Sequence, residues 1–206
     1  MIQICDFTIE LGGRVLFSPI NLQIQPKTIT VLMGTSGVGK SSILGAISGS
    51  VKYSGSCSAP QSFTIYQDSH QLFPWYTVRK NLDLVCNSNY MQTVNDWKLT
   101  ELLDSTPSAI SGGQRQRFTL IRAMYSGRPL LLCDEPLSGL DALTRYFVLE
   151  DFKKKIVELG LSVFYVTHDI NEAKYIGDSI YLLKPNGLTT IDRNINEVDF
   201  IQQLDH

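Results

Sequence analysis

The sequence predicts an α/β fold: a parallel sheet packed by helices, with an antiparallel β subdomain and a small helical subdomain attached. Three observations carry this. The first thirty or so residues alternate apolar and polar side chains, as strands with one buried face do. The middle of the chain alternates apolar strands with helices, the pattern of a parallel sheet. A polar stretch with tryptophans and scattered leucines interrupts that alternation between residues 72 and 106.

The elements follow in order. "QICDFTIEL" and "RVLFSPINLQIQP" read as antiparallel strands joined by a turn at Gly12 and Gly13. "TITVLMG" is a strand whose apolar run ends in glycine, and "GKSSILGAISGS" is a helix that stops near Gly49. The glycine- and serine-rich "SGSVKYSGSCSAP" reads as a loop with space for a short hairpin. "SFTIYQ" is a strand ending at Gln67. Residues 72–106 show no strong alternation of period two and are expected to form the helical insert. "GQRQRFTLIRAMYSG" places Phe118, Ile121 and Tyr125 at helical spacing. "PLLLC" and "LSVFYVTH" are continuous apolar runs, as in strands buried on both faces. Between them "RYFVLEDFKKKIVELG" is an amphipathic helix ending at Gly160. "SIYLLKPNGLTTID" holds Asn-Gly between two apolar runs, a hairpin signal, and the tail after Asp192 is expected to be partly helical. No motif occurs twice. The chain reads as a single domain over residues 1–206. Its antiparallel β subdomain takes about residues 1–30 with later strands, its helical subdomain about residues 70–125, and the parallel core the remainder.

Composition narrows the function. A chain of 206 residues with 43% hydrophobic and 18% charged side chains builds a globular core rather than a disordered polymer. A net charge of −2 and the lack of any basic block give no footprint for nucleic acid. Cys5, Cys57, Cys86 and Cys133 form no Cys-x-x-Cys pair and histidine is scarce, so scattered reduced thiols are expected rather than a zinc cluster. "MIQICDFTIE" has no basic segment ahead of a long apolar one, and no apolar run is long enough to span a bilayer. Work at a membrane would therefore require docking onto a protein already there.

The chemistry is concentrated in "GTSGVGKSS", which matches G-x-x-x-x-G-K-[ST]: Gly34, Thr35, Ser36, Gly37, Val38, Gly39, Lys40, Ser41 and Ser42. Glycines let successive backbone N–H groups converge on phosphates. Lys40 supplies a mobile positive charge for the outer phosphates, and the Ser41 hydroxyl is suited to Mg²⁺. The helix that follows aims its positive end at the same place. The strand before and helix after are the context this P-loop needs, and they give the core the P-loop NTPase (RecA-like) fold. "PLLLCDEP" then delivers Asp134 at a strand end, where open α/β sheets bind ligands. Two isolated acids there would be ordinary solvated side chains; beside a P-loop, Asp134 is a Mg²⁺ holder and Glu135 a group in line with an attacking water. Gln67 and His168 also fall at predicted strand ends, in reach of the same crevice. Gln67 is expected to sense Mg²⁺ and the water, and His168 to donate to a γ-phosphate oxygen. A second anion-seeking segment, "SAISGGQRQRF", opens a helix far downstream.

With the P-loop, Gln67, "ISGGQ", "LLLCDEP", "SGLD" and His168 in that order, the chain resembles the ATP-binding subunit of ABC transporters over roughly residues 1–181. The resemblance implies ATP and Mg²⁺ as ligands and a second ABC subunit as partner, a homodimer by expectation. Two cassettes would meet head to tail and trap two ATP molecules. Ser111, Gly112, Gly113 and Gln114 would then serve the neighbour's nucleotide, Asp141 would link the two sites, and Glu135 would act as general base or water-orienting residue. "QDSHQLFPWYTVRKNLDL" resembles the segment of importer ATPases that receives a helix of a transmembrane permease subunit, near Phe73, Pro74, Trp75 and Tyr76. Packing of Trp75 inside the helical insert is an equally weighted alternative. "PWYTV" and "DALTR" resemble the subgroup importing nitrate, taurine, sulfonates and thiamine-like precursors. The implied place is the cytoplasmic face of the membrane, held through the permease. A regulatory or mechanical clamp on a membrane complex is the alternative function, and a cassette that binds without hydrolysing is disfavoured by the intact Glu135 and His168.

The chain departs from the family pattern at several points. Leu11 stands where an aromatic residue usually stacks on adenine, with Arg14 a candidate to cover the base instead. Ile110 replaces the usual leucine of the signature, and Cys133 replaces an aliphatic and reads as a small buried hydrophobe. The helical insert looks trimmed, and no regulatory domain is expected after the hairpin.

Overall fold

The computed structural model describes residues 1–67 and 71–205; the three residues after Gln67 in the "QDSHQLFPWYTV" stretch lie outside the described residues. The chain opens with β1 (Ile2–Thr8), a ribbon of β2 (Glu10–Leu11) and β3 (Arg14–Val15), and β4 (Ile20–Ile24). β5 (Ile29–Met33) leads through the glycine loop into α1 (Lys40–Ile47), followed by β6 (Ser54–Ser58) and β7 (Ser62–Ile65). The insert contains α2 (Val78–Asp83), α3 (Met91–Asp96) and two single 3₁₀ turns. Then come α4 (Gly112–Met124), β8 (Leu130–Asp134), α5 (Ala142–Leu159), β9 (Ser162–Val166), α6 (Ile170–Ile176), the hairpin of β10 (Ser179–Lys184) and β11 (Gly187–Ile191), and α7 (Glu197–Asp205).

The central sheet runs β11-β10-β5-β9-β8-β7 and is parallel except for β11 at its edge. Both of its faces are covered, which is why its strands are continuous apolar runs. Val31, Leu131, Cys133, Val163 and Tyr165 pack on one side with Trp97 of the insert, Phe118 of α4 and Phe152 of α5. Leu32, Leu130, Leu132, Phe164 and Val166 pack on the other with Phe7 of β1 and Ile43 and Leu44 of α1. Cys133 is fully buried among hydrophobes, and that burial pushes its thiol well above the usual range.

Three local expectations change. The serine-rich patch forms no hairpin of its own: β6 pairs antiparallel with β1, Ile4 opposite Cys57, and completes a three-stranded sheet β4-β1-β6. Pairing with an already ordered strand outweighs the weak strand preference of "SGSCS". The helix α6 was not expected. Asp169 caps it, its Oδ1 accepting from the Asn171 N–H at 2.8 Å and the Glu172 N–H at 3.2 Å, while Ile170, Ala173 and Ile176 turn inward. α5 begins at Ala142, three residues earlier than the amphipathic run suggested, because Asp141 caps it.

Candidate active site at the sheet edge

Four adjacent strands deliver the polar residues. β5 empties into the glycine loop, β7 is followed by Gln67, β8 ends in Asp134 and Glu135, and β9 is followed by His168. All lie beyond the C-terminal ends of parallel strands, the edge where open α/β sheets hold ligands.

The glycine loop leaves no space for side chains where it turns hardest. Gly34 has φ 153°, and a Cβ on it would sit 2.6 Å from the Leu183 carbonyl oxygen. Gly39, which opens α1, has φ 113°, and its Cβ would meet the Phe17 ring at 2.9 Å. Lys40 folds back over the loop, its Nζ donating to the carbonyls of Gly34 at 2.8 Å and Thr35 at 2.9 Å. Burial lowers the affinity of Lys40 for its proton, against the pull of Glu135 and Asp134. Burial likewise raises Asp134 above the usual carboxylate range; the Ser41 hydroxyl and Lys40 oppose this and Glu135 adds to it.

Glu135 is the point of convergence. Its backbone adopts φ 44°, a left-handed conformation that costs a non-glycine residue about 1–3 kcal/mol and concentrates at functional sites. Its N–H donates to the Val166 carbonyl at 3.0 Å, which fixes it against β9. One carboxylate oxygen accepts from Gln67 Nε2 at 3.2 Å, and the other lies 3.2 Å from His168 Nδ1. The Glu135 side chain is 19% exposed and that of His168 70%, so the histidine is held at the rim.

A cleft of about 560 Å³ opens over these groups. Gly34, Ser36, Gly37, Gly39, Lys40, Ser41 and Ser42 line it with Gln67, Asp134, Glu135 and His168. Thr35 and Val38 are not among the lining residues: the Thr35 carbonyl accepts from Lys40, and the Val38 side chain is in the core. Leu11 forms part of the wall with Leu16, a residue that no motif marks. Arg14 is registered opposite Leu11 across the ribbon but is not among the lining residues.

Ser111, Gly112, Gly113, Gln114 and Asp141 do not line this cleft. Ser111 caps α4 in a capping box: its hydroxyl accepts from the Gln114 N–H at 3.2 Å, and its own N–H donates to Gln114 Oε1 at 2.9 Å. Asp141 is exposed and its Oδ1 accepts from the Thr144 N–H at 3.0 Å; bonds from the Thr144 hydroxyl and amide hold its carboxyl below the usual range. Trp75 is 70% exposed, not packed inside the insert, with the Phe73 ring tilted against it at 5.7 Å and the Tyr76 ring edge-on at 6.2 Å.

The site suits a nucleoside triphosphate with Mg²⁺. A glycine cradle that a Cβ would fill, a buried ammonium bonded to two loop carbonyls, and a helix start together make a phosphate seat. Among the described residues no three His, Cys, Asp or Glu side chains gather as a metal cage. One carboxylate, Asp134, bonded to the Ser41 hydroxyl, with Gln67 on the same cleft, is the sparse oxygen set of an ion that keeps waters and phosphate oxygens.

Fold and site together define a P-loop nucleotide-binding protein. The model of the ABC transporter family matches residues 17–138, more than half of the chain, and the chain belongs to that family. It is 34% identical over 179 residues to the aliphatic sulfonates import ATP-binding protein SsuB 3 of Nocardia farcinica, covering 84% of this chain and 72% of that one. It is 30% identical to the molybdenum import ATP-binding protein ModC of Haemophilus ducreyi, covering 91% of this chain and 59% of the relative. It is 32% identical to the nitrate import ATP-binding protein NrtC of Synechococcus elongatus, covering 94% of this chain and 33% of the relative. The solved structure of an ATP binding subunit of an ABC transporter superposes over the full length of both chains with a TM-score of 0.85 at 20% identity.

Proposed function

We propose that this chain, acting as one nucleotide-binding domain, is the ATP-hydrolysing subunit of an ABC importer for a small solute. The convergence of Gln67 and His168 on Glu135 beside the P-loop supports this most directly. The relatives' names, all import ATP-binding proteins, point the same way.

Lys40 and the N–H groups of residues 34–42 bind the phosphates, and entry of the γ-phosphate exchanges the Lys40 bonds to Gly34 and Thr35 for bonds to phosphate. Ser41, Asp134 and Gln67 would hold Mg²⁺, which would supply positive charge to neutralise the phosphate oxygens. Leu11 packs against the base. Glu135 orients the attacking water and takes its proton. His168, which needs only a neutral imidazole, donates to a γ-phosphate oxygen, and Gln67 reports the state of the site to the segment that follows it.

A second copy completes the site. Ser111, Gly112, Gly113 and Gln114 open α4 away from their own chain's cleft, which suits them to the γ-phosphate held by the partner. Asp141 lies on an exposed turn and links the two halves. Phe73, Trp75 and Tyr76 form an exposed aromatic patch, as a docking surface for a transmembrane permease subunit requires. That dock holds the chain at the cytoplasmic face of the membrane; among the described residues no helix is long and apolar enough to cross it.

Glu135→Gln tests the reading. Nucleotide affinity stays within a few-fold of wild type, hydrolysis falls by about 10²–10⁴-fold, the share of a general base, and sedimentation shows an ATP-bound dimer. Turnover at the wild-type rate would remove Glu135 from the chemistry.

A further inference from the structure

We propose that Arg145 is a positioning residue, tying the turn that carries Asp141 to the strand end that carries His168. The inference rests on the reading of Glu135 and His168 as the hydrolytic pair and adds a third element to it.

Arg145 stands on the first turn of α5 and reaches in two directions. Its Nη2 donates to the Leu140 carbonyl at 3.0 Å, the peptide immediately before Asp141. Its Nη1 lies 3.5 Å from Asp169 Oδ2, on the residue immediately after His168. The guanidinium thus spans from one turn to the other, and both side chains of the pair are about two-thirds buried, at 30% and 33% exposed. Partial burial lifts such a pair above the near-zero contribution of fully solvated ion pairs.

His168 has little independent support. Its side chain is at the rim, and its backbone is held through its neighbours. The Asp169 N–H donates to Thr167 Oγ1 at 3.1 Å, and Thr167 Oγ1 in turn donates to Glu172 Oε2 at 2.6 Å. Glu172 also accepts from the Tyr165 hydroxyl and is 8% exposed. Asp169 spends Oδ1 on capping α6, which leaves Oδ2 for Arg145. Thr167, Asp169 and Glu172 form a cradle under His168, and Arg145 is its connection to α5.

A second observation points the same way. Arg145 Nε is buried and, among the described residues, has no hydrogen-bond partner. Arg145 also lines a cavity of about 20 Å³, shared with Glu135, Thr167, His168 and Glu172. That is space for one water, and the lining is polar enough to hold it. A water accepting from Nε would satisfy the orphaned donor and stand between Arg145 and the Glu135–His168 contact. Movement of the Asp141 turn would then shift Arg145 and, through Asp169 and this water, alter how His168 faces Glu135.

Arg145→Gln in the full chain tests this, with ATP affinity, turnover, thermal stability and backbone amide exchange read on the same protein. The expected result is a fall of about tenfold or more in kcat with the ATP dissociation constant within twofold, and faster exchange at residues 167–169 with α4 unchanged. Arg145→Lys, which keeps the charge near Asp169 but loses the fork, should recover part of the rate. In a His168→Ala background, Arg145→Gln should cost less than a further twofold, because it acts through His168. Unchanged kcat and exchange in Arg145→Gln, or a full additional loss in the His168→Ala background, would overturn the link. Should Arg145→Gln fail to fold, Asp169→Asn weakens the same contact from the other side and is read identically. Wild-type turnover in His168→Ala alone marks failure of the hydrolytic assignment, whereas loss in His168→Ala with no effect of Arg145→Gln marks failure of the link.

Discussion

Gly39→Ala probes whether the loop is shaped by space or only by backbone freedom. The backbone at Gly39 has φ 113°, outside the region an alanine adopts comfortably, which costs about 1–3 kcal/mol. The new methyl group would also lie 2.9 Å from Phe17 Cε1 and 3.1 Å from Leu16 Cδ1. Phe17 is 1% exposed and cannot swing into solvent, so overpacking adds about 1–3 kcal/mol. The total is about 2–6 kcal/mol. Gly37→Ala is the internal control: φ is 78°, but nothing lies within 4 Å of its Cβ, so only the left-handed cost of about 1–2 kcal/mol applies. Urea unfolding of wild type and both variants, with ATP absent, measures the difference. The expected order is wild type, Gly37→Ala, Gly39→Ala, with the last two separated by at least about 1 kcal/mol from the crowding alone. Equal costs for the two variants would refute the claim that the Phe17 ring is a wall of the cradle.

Trp75→Ala should change folding stability by no more than about 0.5 kcal/mol, because the ring is 70% exposed, yet abolish copurification with the membrane subunits. Retained copurification would move the dock elsewhere. Asp134→Asn addresses pH. Burial raises the Asp134 carboxyl in the folded chain, so it binds its proton more firmly there than in the unfolded chain; the stability it contributes is complete below the unfolded pKa and lost as pH rises through the folded one. Without nucleotide the asparagine variant should therefore be the more stable of the two at neutral pH and show a flatter acid profile in urea melts, and on the proposed Mg²⁺ role it should gain less stability than wild type when Mg²⁺ and ATP are added. A variant less stable than wild type at neutral pH would contradict this sign.

Local chemistry made much of the fold legible. Strands buried on both faces announce themselves as "PLLLC" and "SVFYV", and the glycine loop needs its residues in a fixed order. What escaped depends on partners distant in the chain. β6 is a strand because β1 is there to pair with it, not because "SGSCS" prefers to extend. α6 has only seven residues, and its cap and apolar spacing lay between stronger signals at His168 and the following strand. The site's polar members and the crevice they share could be selected from strand ends, but their meeting on one carboxylate could not. Contact of Gln67 and His168 with opposite oxygens of one carboxylate depends on the order β9-β8-β7. The left-handed backbone of Glu135 and the fork of Arg145 had no sequence signal, since neither residue type demands that geometry.

The Lys40 ammonium is bonded to two carbonyls of its own loop, so the residue that would serve the phosphates also braces the cradle around them. On the proposed reading, a phosphate that takes the ammonium must displace those two bonds. The same two bonds set a toll on loosely held anions: a lone phosphate must displace them without the grip that the rest of a nucleotide provides. The seat thus holds a bare phosphate less firmly than a nucleotide that brings further contacts of its own.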